Sequence, residues 1–110
     1  METSDRKGVR VESEQFISYK LFDSENRICD EGMALAKDIS RNGVAVENRR
    51  SFEIDSRLEL TIALSEDLIQ TEGVVRNVKE IDEKTYLIGI EFSNITKDQI
   101  KKLSKEFPGI

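Results

Sequence analysis

The clearest structural signal in the chain is RLELTIAL, residues 57–64. Leucine or isoleucine occupies every second position, and charged, hydroxyl or small residues occupy the positions between. Successive side chains of a β-strand point to opposite faces of a sheet. The alternation therefore predicts a strand with one face in a hydrophobic core and the other in water.

Other segments of the chain have the same strand-like composition. They are QFISYKLF (15–22), GMALAK (32–37), GVAVE (43–47), EGVVRNV (72–78) and TYLIGIEF (85–92). Polar runs separate them, and we predict turns at DSEN (23–26) and at the charged KEIDEK (79–84). Small sheets of this kind remove their exposed edges by closing, so the sequence predicts a six-stranded antiparallel β-barrel.

The last part of the chain changes from the period of a strand to that of a helix. Thr96 and Gln99 have the spacing of a capping box, in which each side chain bonds to the backbone of the other residue. One apolar stripe follows, formed by Ile100, Leu103 and Phe107. The sequence thus predicts a C-terminal helix over about residues 96–107, and an all-β fold that ends in this helix.

Composition limits the functions that are open to the protein. The length of 110 residues suits one domain, and the net charge of −5 argues against general attraction to nucleic acid polymers or anionic membranes. The chain has no histidine and one cysteine, so we expect no metal site, no cofactor and no enzymatic activity. Without a signal peptide or a long apolar run, we expect a cytoplasmic protein with no membrane insertion.

An arginine pair lies in RKGVR, where Arg6 and Arg10 are four positions apart. Guanidinium groups bind phosphate oxygens bidentately and also stack on aromatic rings. The pair therefore suits a clamp for an anion, although the spacing alone equally fits two solvated charges. A second motif is needed to decide between these interpretations.

That second motif is DISRNG, in which Asp38, Ser40 and Gly43 form D-x-S-x-x-G. Asp38 can accept two N–H bonds from one planar group, and a serine hydroxyl both donates and accepts. Gly43 suits a tight turn with positive φ, or a close approach of the backbone to a ligand. The same residue types are also standard in hairpin turns, so a purely structural interpretation stays open.

The order of these elements resembles the PilZ domain family. The matching pieces are RKGVR, then DISRNG about thirty residues later, then LIGIEF and a terminal helix, so the resemblance covers nearly the whole chain. It implies a six-stranded barrel that binds cyclic di-GMP, a bacterial second messenger. Carried over by motif, Arg6 and Arg10 would hold phosphates and guanine, Asp38 and Ser40 would hold guanine edges, and Gly43 would shape the turn.

The resemblance also implies how the chain is divided. Residues 1–10 would be a flexible segment that folds over the ligand, and residues 11–110 would form the barrel and its helix. Lys7 and Arg41 are secondary candidates that would add positive charge near the ligand. Asp5 stands where some family members have a further arginine, which favours one ligand molecule per protein.

Three functions remain open at the level of the sequence. The first is a cyclic di-GMP receptor or adaptor that passes the signal to an unidentified effector protein. The second is a protein-interaction module of the same fold that does not depend on the ligand. The third, a barrel that binds single-stranded nucleic acid, is disfavoured because such proteins need basic grooves and aromatic platforms.

Overall fold

The structure, a computed structural model, describes residues 11–110, with side chains from residue 15 onward. Its elements are β1 (Val11–Phe22), β2 (Ile28–Ile39), β3 (Gly43–Asn48), β4 (Arg57–Ala63), β5 (Leu68–Asp82), β6 (Thr85–Phe92) and α1 (Lys97–Glu106). The predicted arginine segment, residues 1–10, lies outside the described residues. The division of the chain at residue 10 therefore stays a prediction.

The six strands form one closed barrel in the order β1-β2-β3-β6-β5-β4. Every neighbouring pair is antiparallel, and β1 closes the barrel by pairing with both β2 and β4. The predicted fold class is confirmed: a six-stranded antiparallel barrel with one C-terminal helix.

The interior of the barrel is built by the alternating residues of its strands. In β4, Leu58, Leu60 and Ile62 are at most 1% exposed, as their alternation with polar residues predicts. Leu103 of α1 is fully buried and belongs to the same hydrophobic core. The helix therefore covers part of the barrel, and truncating Leu103 to alanine is expected to cost about 2–5 kcal/mol.

The first turn of α1 is fixed by the capping box that the sequence predicts. Thr96 Oγ1 accepts the N–H of Gln99, and Gln99 Oε1 accepts the N–H of Thr96, both over 3.1 Å. Gln99 Nε2 also donates to the carbonyl oxygen of Gln70, which ties the helix to β5. No helix in the described part of the chain is long and apolar enough to cross a bilayer.

Several predicted strand limits are wrong. Strands β1, β2 and β5 each begin four residues earlier than predicted, at Val11, Ile28 and Leu68. The segment KEIDEK is also not a loop throughout, because residues 79–82 continue β5 and pair with β6, leaving a short turn at residues 83–84. At residues 28–31 and 79–82 backbone pairing extends the strands through largely exposed segments, and hydrophobic patterning does not report such pairing.

Candidate ligand-binding site

The turn between β2 and β3 contains the second sequence motif, and Ser40 closes it. Ser40 is only 6% exposed, and its Oγ accepts the N–H groups of Asn42 and Gly43 over 3.1 and 3.3 Å. The backbone N–H of Ser40 donates to the carbonyl oxygen of Gly43 over 2.9 Å. The hydroxyl also lies 3.4 Å from that carbonyl oxygen, as a donor. Ser40 is therefore fully engaged within the turn.

Gly43 is required by close packing of two backbones. A β-carbon at this position would lie 2.2 Å from the carbonyl oxygen of Ile90 and 3.2 Å from the Cα of Glu91. The positive φ that the sequence suggests is not found there, since among the described glycines only Gly109 has one. Asn42 adds a further link, because its carbonyl oxygen accepts the N–H of Phe92 over 2.8 Å. The turn is thus fixed to the end of β6.

Asp38 lies just before this turn, near the end of β2. The flanking core residues Ala36 and Ile39 are each 1% exposed, and a β-bulge lies between Ala36 and Asp38 in the pairing with β3. Lys37 and Asp38 therefore both face the outside of the barrel, and both are half-buried. The bulge brings the carboxyl group of Asp38 to the outer wall beside β3.

A flat strip of small residues extends from Asp38 across the wall. The pairing registers place Asp38 beside Ala45 of β3, Ala45 beside Gly89 of β6, and Gly89 beside Asn77 of β5. We call these four residues the wall strip. Its two central members have one methyl group and no side chain, but Ala45 is only 6% exposed and the amide of Asn77 lies over Gly89. Polar side chains flank the flat centre.

Most cations near the wall strip are paired with carboxylates. Arg76 Nε lies 2.7 Å from Glu91 Oε1, and this hydrogen bond raises the pKa of the guanidinium. Lys37 Nζ lies 3.9 Å from a carboxylate oxygen of Glu47. Arg41 is exposed in the turn and pairs with no carboxylate among the described residues. An anionic ligand on the strip thus needs further cations.

The structure brings together part of the predicted site. Asp38, Ser40, Gly43 and the secondary candidate Arg41 share the end of β2 and its turn. Arg6, Lys7 and Arg10 lie outside the described residues, so their places stay predictions. No group of metal-binding side chains occurs within the part of the chain that the structure describes.

Asn77 was not singled out by the sequence, although a signal was present. In EGVVRNV the apolar residues Val75 and Val78 are three positions apart, which breaks the period of two. Such a break is the pattern of a β-bulge, and the structure has one between Val75 and Asn77. The bulge places Asn77 on the wall strip.

Solved structures with the same fold include several bacterial proteins. The inhibitor of motility MotI/DgrA of Bacillus subtilis is 25% identical, with a TM-score of 0.69 over 96% of this chain and 49% of its own. The MrkH–c-di-GMP complex of K. pneumonia is 20% identical, with a TM-score of 0.67 over 94% of this chain and 50% of its own. The chain thus spans about half the length of these two proteins.

A third solved structure is covered by the match over most of its length. The PilZ domain of YcgR from Escherichia coli with c-di-GMP is 14% identical, with a TM-score of 0.64 over 91% of this chain and 86% of its own. Comparison with curated proteins gives no match. The family model described as "PilZ domain" matches residues 4–106, which include both motifs. The chain belongs to the PilZ domain family.

Proposed function

We propose that the protein is a bacterial, cytoplasmic receptor for cyclic di-GMP, with the ligand bound on the wall strip. The observation that carries the proposal is the position of Asp38 on the outer wall, beside a turn that Ser40 and Gly43 fix. Membership of the PilZ family supports the proposal, as do the cyclic di-GMP complexes of MrkH and YcgR.

Asp38 supplies the acceptor side of the recognition. A carboxylate offers only acceptors, and the N1–H and N2–H groups of guanine form an adjacent pair of donors. Ser40 and Gly43 support this contact by fixing the turn, and we include both in the site. Ala45 contributes only a methyl group beside Asp38.

Arg6 and Arg10 supply the positive charge. The ligand carries two phosphates, whereas Lys37 and Arg76 are already paired with carboxylates. Arginine suits this role because its planar fork binds phosphate bidentately and stacks on guanine. Lys7 and Arg41 add to the local charge, and a single cyclic di-GMP molecule occupies the site.

The output of binding is a change of surface. Ordering of residues 1–10 over the ligand covers the wall strip and presents a new face to an effector protein. Such coupling is reciprocal: the effector raises the affinity for the ligand by the same factor as the ligand raises the affinity for the effector.

Isothermal titration with cyclic di-GMP at moderate salt tests the proposal. Wild type should bind one ligand molecule per chain, and Arg6→Ala or Arg10→Ala should each cost about 1.5–3 kcal/mol of binding free energy. Arg10→Lys should also bind more weakly, because it keeps the charge but loses the fork. Arg49→Ala, in the loop after β3, is the control and should bind as wild type does. Equal binding by both alanine variants would exclude the clamp.

A second candidate is a protein-interaction module that needs no ligand. Phe16 and Met33 on the outer face of β1 and β2 are 61% and 59% exposed, so they offer apolar surface to a protein partner. If the folded wild-type protein gives no heat with cyclic di-GMP at high micromolar concentrations, this function is favoured over a receptor.

A further inference from the structure

The bulge in β5 turns two consecutive side chains to the outer wall. Val75 is fully buried, and Val78 packs against the same core. Val75 pairs with Ile90 while Asn77 pairs with Gly89, so one extra residue is inserted in β5 between these pairs. Arg76 and Asn77 are therefore both exposed on the outside. Bulges re-aim side chains in this manner and occur often beside functional sites.

The side chain of Asn77 lies flat over Gly89. A β-carbon built on Gly89 would be 2.6 Å from Asn77 Oδ1 and 2.9 Å from its Cγ and Nδ2. The glycine thus provides the space that the amide occupies. The amide itself has no hydrogen-bond partner among the described residues, whereas Arg76 beside it is held by Glu91 and Asp55.

The same arrangement occurs at the opposite end of the wall strip. In β2 a bulge precedes Asp38, and in β5 a bulge precedes Asn77. A paired cation is the inserted residue in each bulge, Lys37 in one and Arg76 in the other. Three strand spacings separate the two polar ends, which is about 14 Å along the wall. Ala45, 6% exposed, and Gly89 lie between them.

We propose that Asn77 is a second base-recognition residue of the site, an inference that rests on the proposed function. Asp38 has acceptors only, so it can bind only the N–H donors of guanine. Asn77 Nδ2 supplies a neutral donor, and the O6 and N7 atoms of guanine are acceptors. The wall strip thus offers guanine acceptors at Asp38 and a donor at Asn77, whose amide covers Gly89.

Substitutions at Asn77 and Gly89 test this role by calorimetric titration with cyclic di-GMP. Asn77→Ala should weaken binding about three- to tenfold, the effect of one neutral hydrogen bond. Asn77→Asp should weaken it more, because a carboxylate repels the acceptor edge and the phosphates. Gly89→Ala should weaken it at least as much as Asn77→Ala, since the methyl group displaces the amide and fills the strip. The control Gln70→Ala removes an exposed amide from the same strand and should bind as wild type does.

A second ligand distinguishes the contribution of Asp38 from that of Asn77. This ligand is cyclic di-inosine, whose bases keep O6 and N7 but lack the N2 amino group. Asp38→Ala should cost less affinity for this analogue than for cyclic di-GMP, while Asn77→Ala should cost the same for both. If Asp38→Ala weakens binding of cyclic di-GMP and Asn77→Ala does not, the inference is wrong and the proposed function stands. If wild type binds neither ligand, both fail. Unchanged melting temperatures of the variants show that the fold is intact.

Discussion

The turns on the two sides of β2 are closed by different side chains. The turn before β2 is closed by the carboxylate of Asp23. Its Oδ1 accepts the N–H groups of Glu25 and Arg27, each over 2.9 Å. The turn after β2 is closed by a hydroxyl, because Ser40 Oγ accepts two N–H groups of that turn. Asp23 thus closes its own turn, whereas Ser40 closes the turn beside Asp38.

Gly43→Ala should give the largest effect on the second turn. The new β-carbon would lie 2.2 Å from a backbone oxygen of Ile90, which cannot move without breaking the β3–β6 pairing. We expect a loss of about 3 kcal/mol in the free energy of unfolding, at the upper end for overpacking, measured by urea denaturation.

Gly32→Ala is the matched control for this substitution. The three atoms nearest to its β-carbon would all belong to the side chain of Tyr19, with the hydroxyl oxygen nearest at 3.3 Å. A small side-chain shift relieves such a contact, so stability should change little. Equal losses of unfolding free energy in the two variants would show that the close contact of Gly43 with β6 does not set the cost of the substitution.

Asp38→Asn should give the next largest effect, now on ligand binding. It keeps the shape of the side chain but replaces one acceptor by a donor that opposes the guanine N–H groups. We expect a loss of about 2 kcal/mol in the free energy of binding cyclic di-GMP, as for one charge-assisted hydrogen bond. Asp23→Asn should leave binding unchanged, because that carboxylate serves its own turn. Equal effects on binding in the two variants would remove the distinction between the turns.

The sequence predicts most of the fold because the core imposes a simple pattern. RLELTIAL and TYLIGIEF are confirmed as strands, and the capping box at Thr96 is confirmed as the start of the helix. Strand ends are predicted less well, as residues 79–82 show, because their pairing depends on backbone hydrogen bonds. These bonds leave no mark on hydrophobic patterning.

The site is predicted less completely than the fold. The motif locates Asp38, Ser40 and Gly43, but it does not separate a residue that closes a turn from one that faces a ligand. That separation needs the hydrogen-bond partners of Ser40. Asn77 reaches the wall strip only through strand register and a bulge, and pairing between distant segments sets both.

Ser40→Ala should have a smaller effect, mainly on stability. It removes the acceptor for two N–H groups of a part-buried turn, and we expect this loss to cost about 1–2 kcal/mol. Urea denaturation without ligand measures this loss, and Ser51→Ala, at an exposed serine, is the control. If Ser40→Ala weakens ligand binding and leaves stability unchanged, Ser40 acts on the ligand and does not close the turn.

Asp23 should give the smallest effect, seen as a dependence of stability on pH. Hydrogen bonds from the backbone N–H groups of Arg27 and Glu25 lower the pKa of Asp23 below its ordinary value. A carboxyl group with a lowered folded-state pKa stabilises the fold fully above its unfolded pKa, about 3.9. That contribution is lost as the pH falls through the folded pKa.

Other carboxylates titrate in the same range, Asp67 and Asp82 among them, so the difference in stability between wild type and Asp23→Asn is the quantity to measure. This difference should shrink from pH 6 towards acid, whereas the difference between wild type and Ser40→Ala should stay constant, since a hydroxyl does not titrate there. A pH-independent difference for Asp23→Asn would mean that its turn, like the turn of Ser40, is closed without the help of a charge.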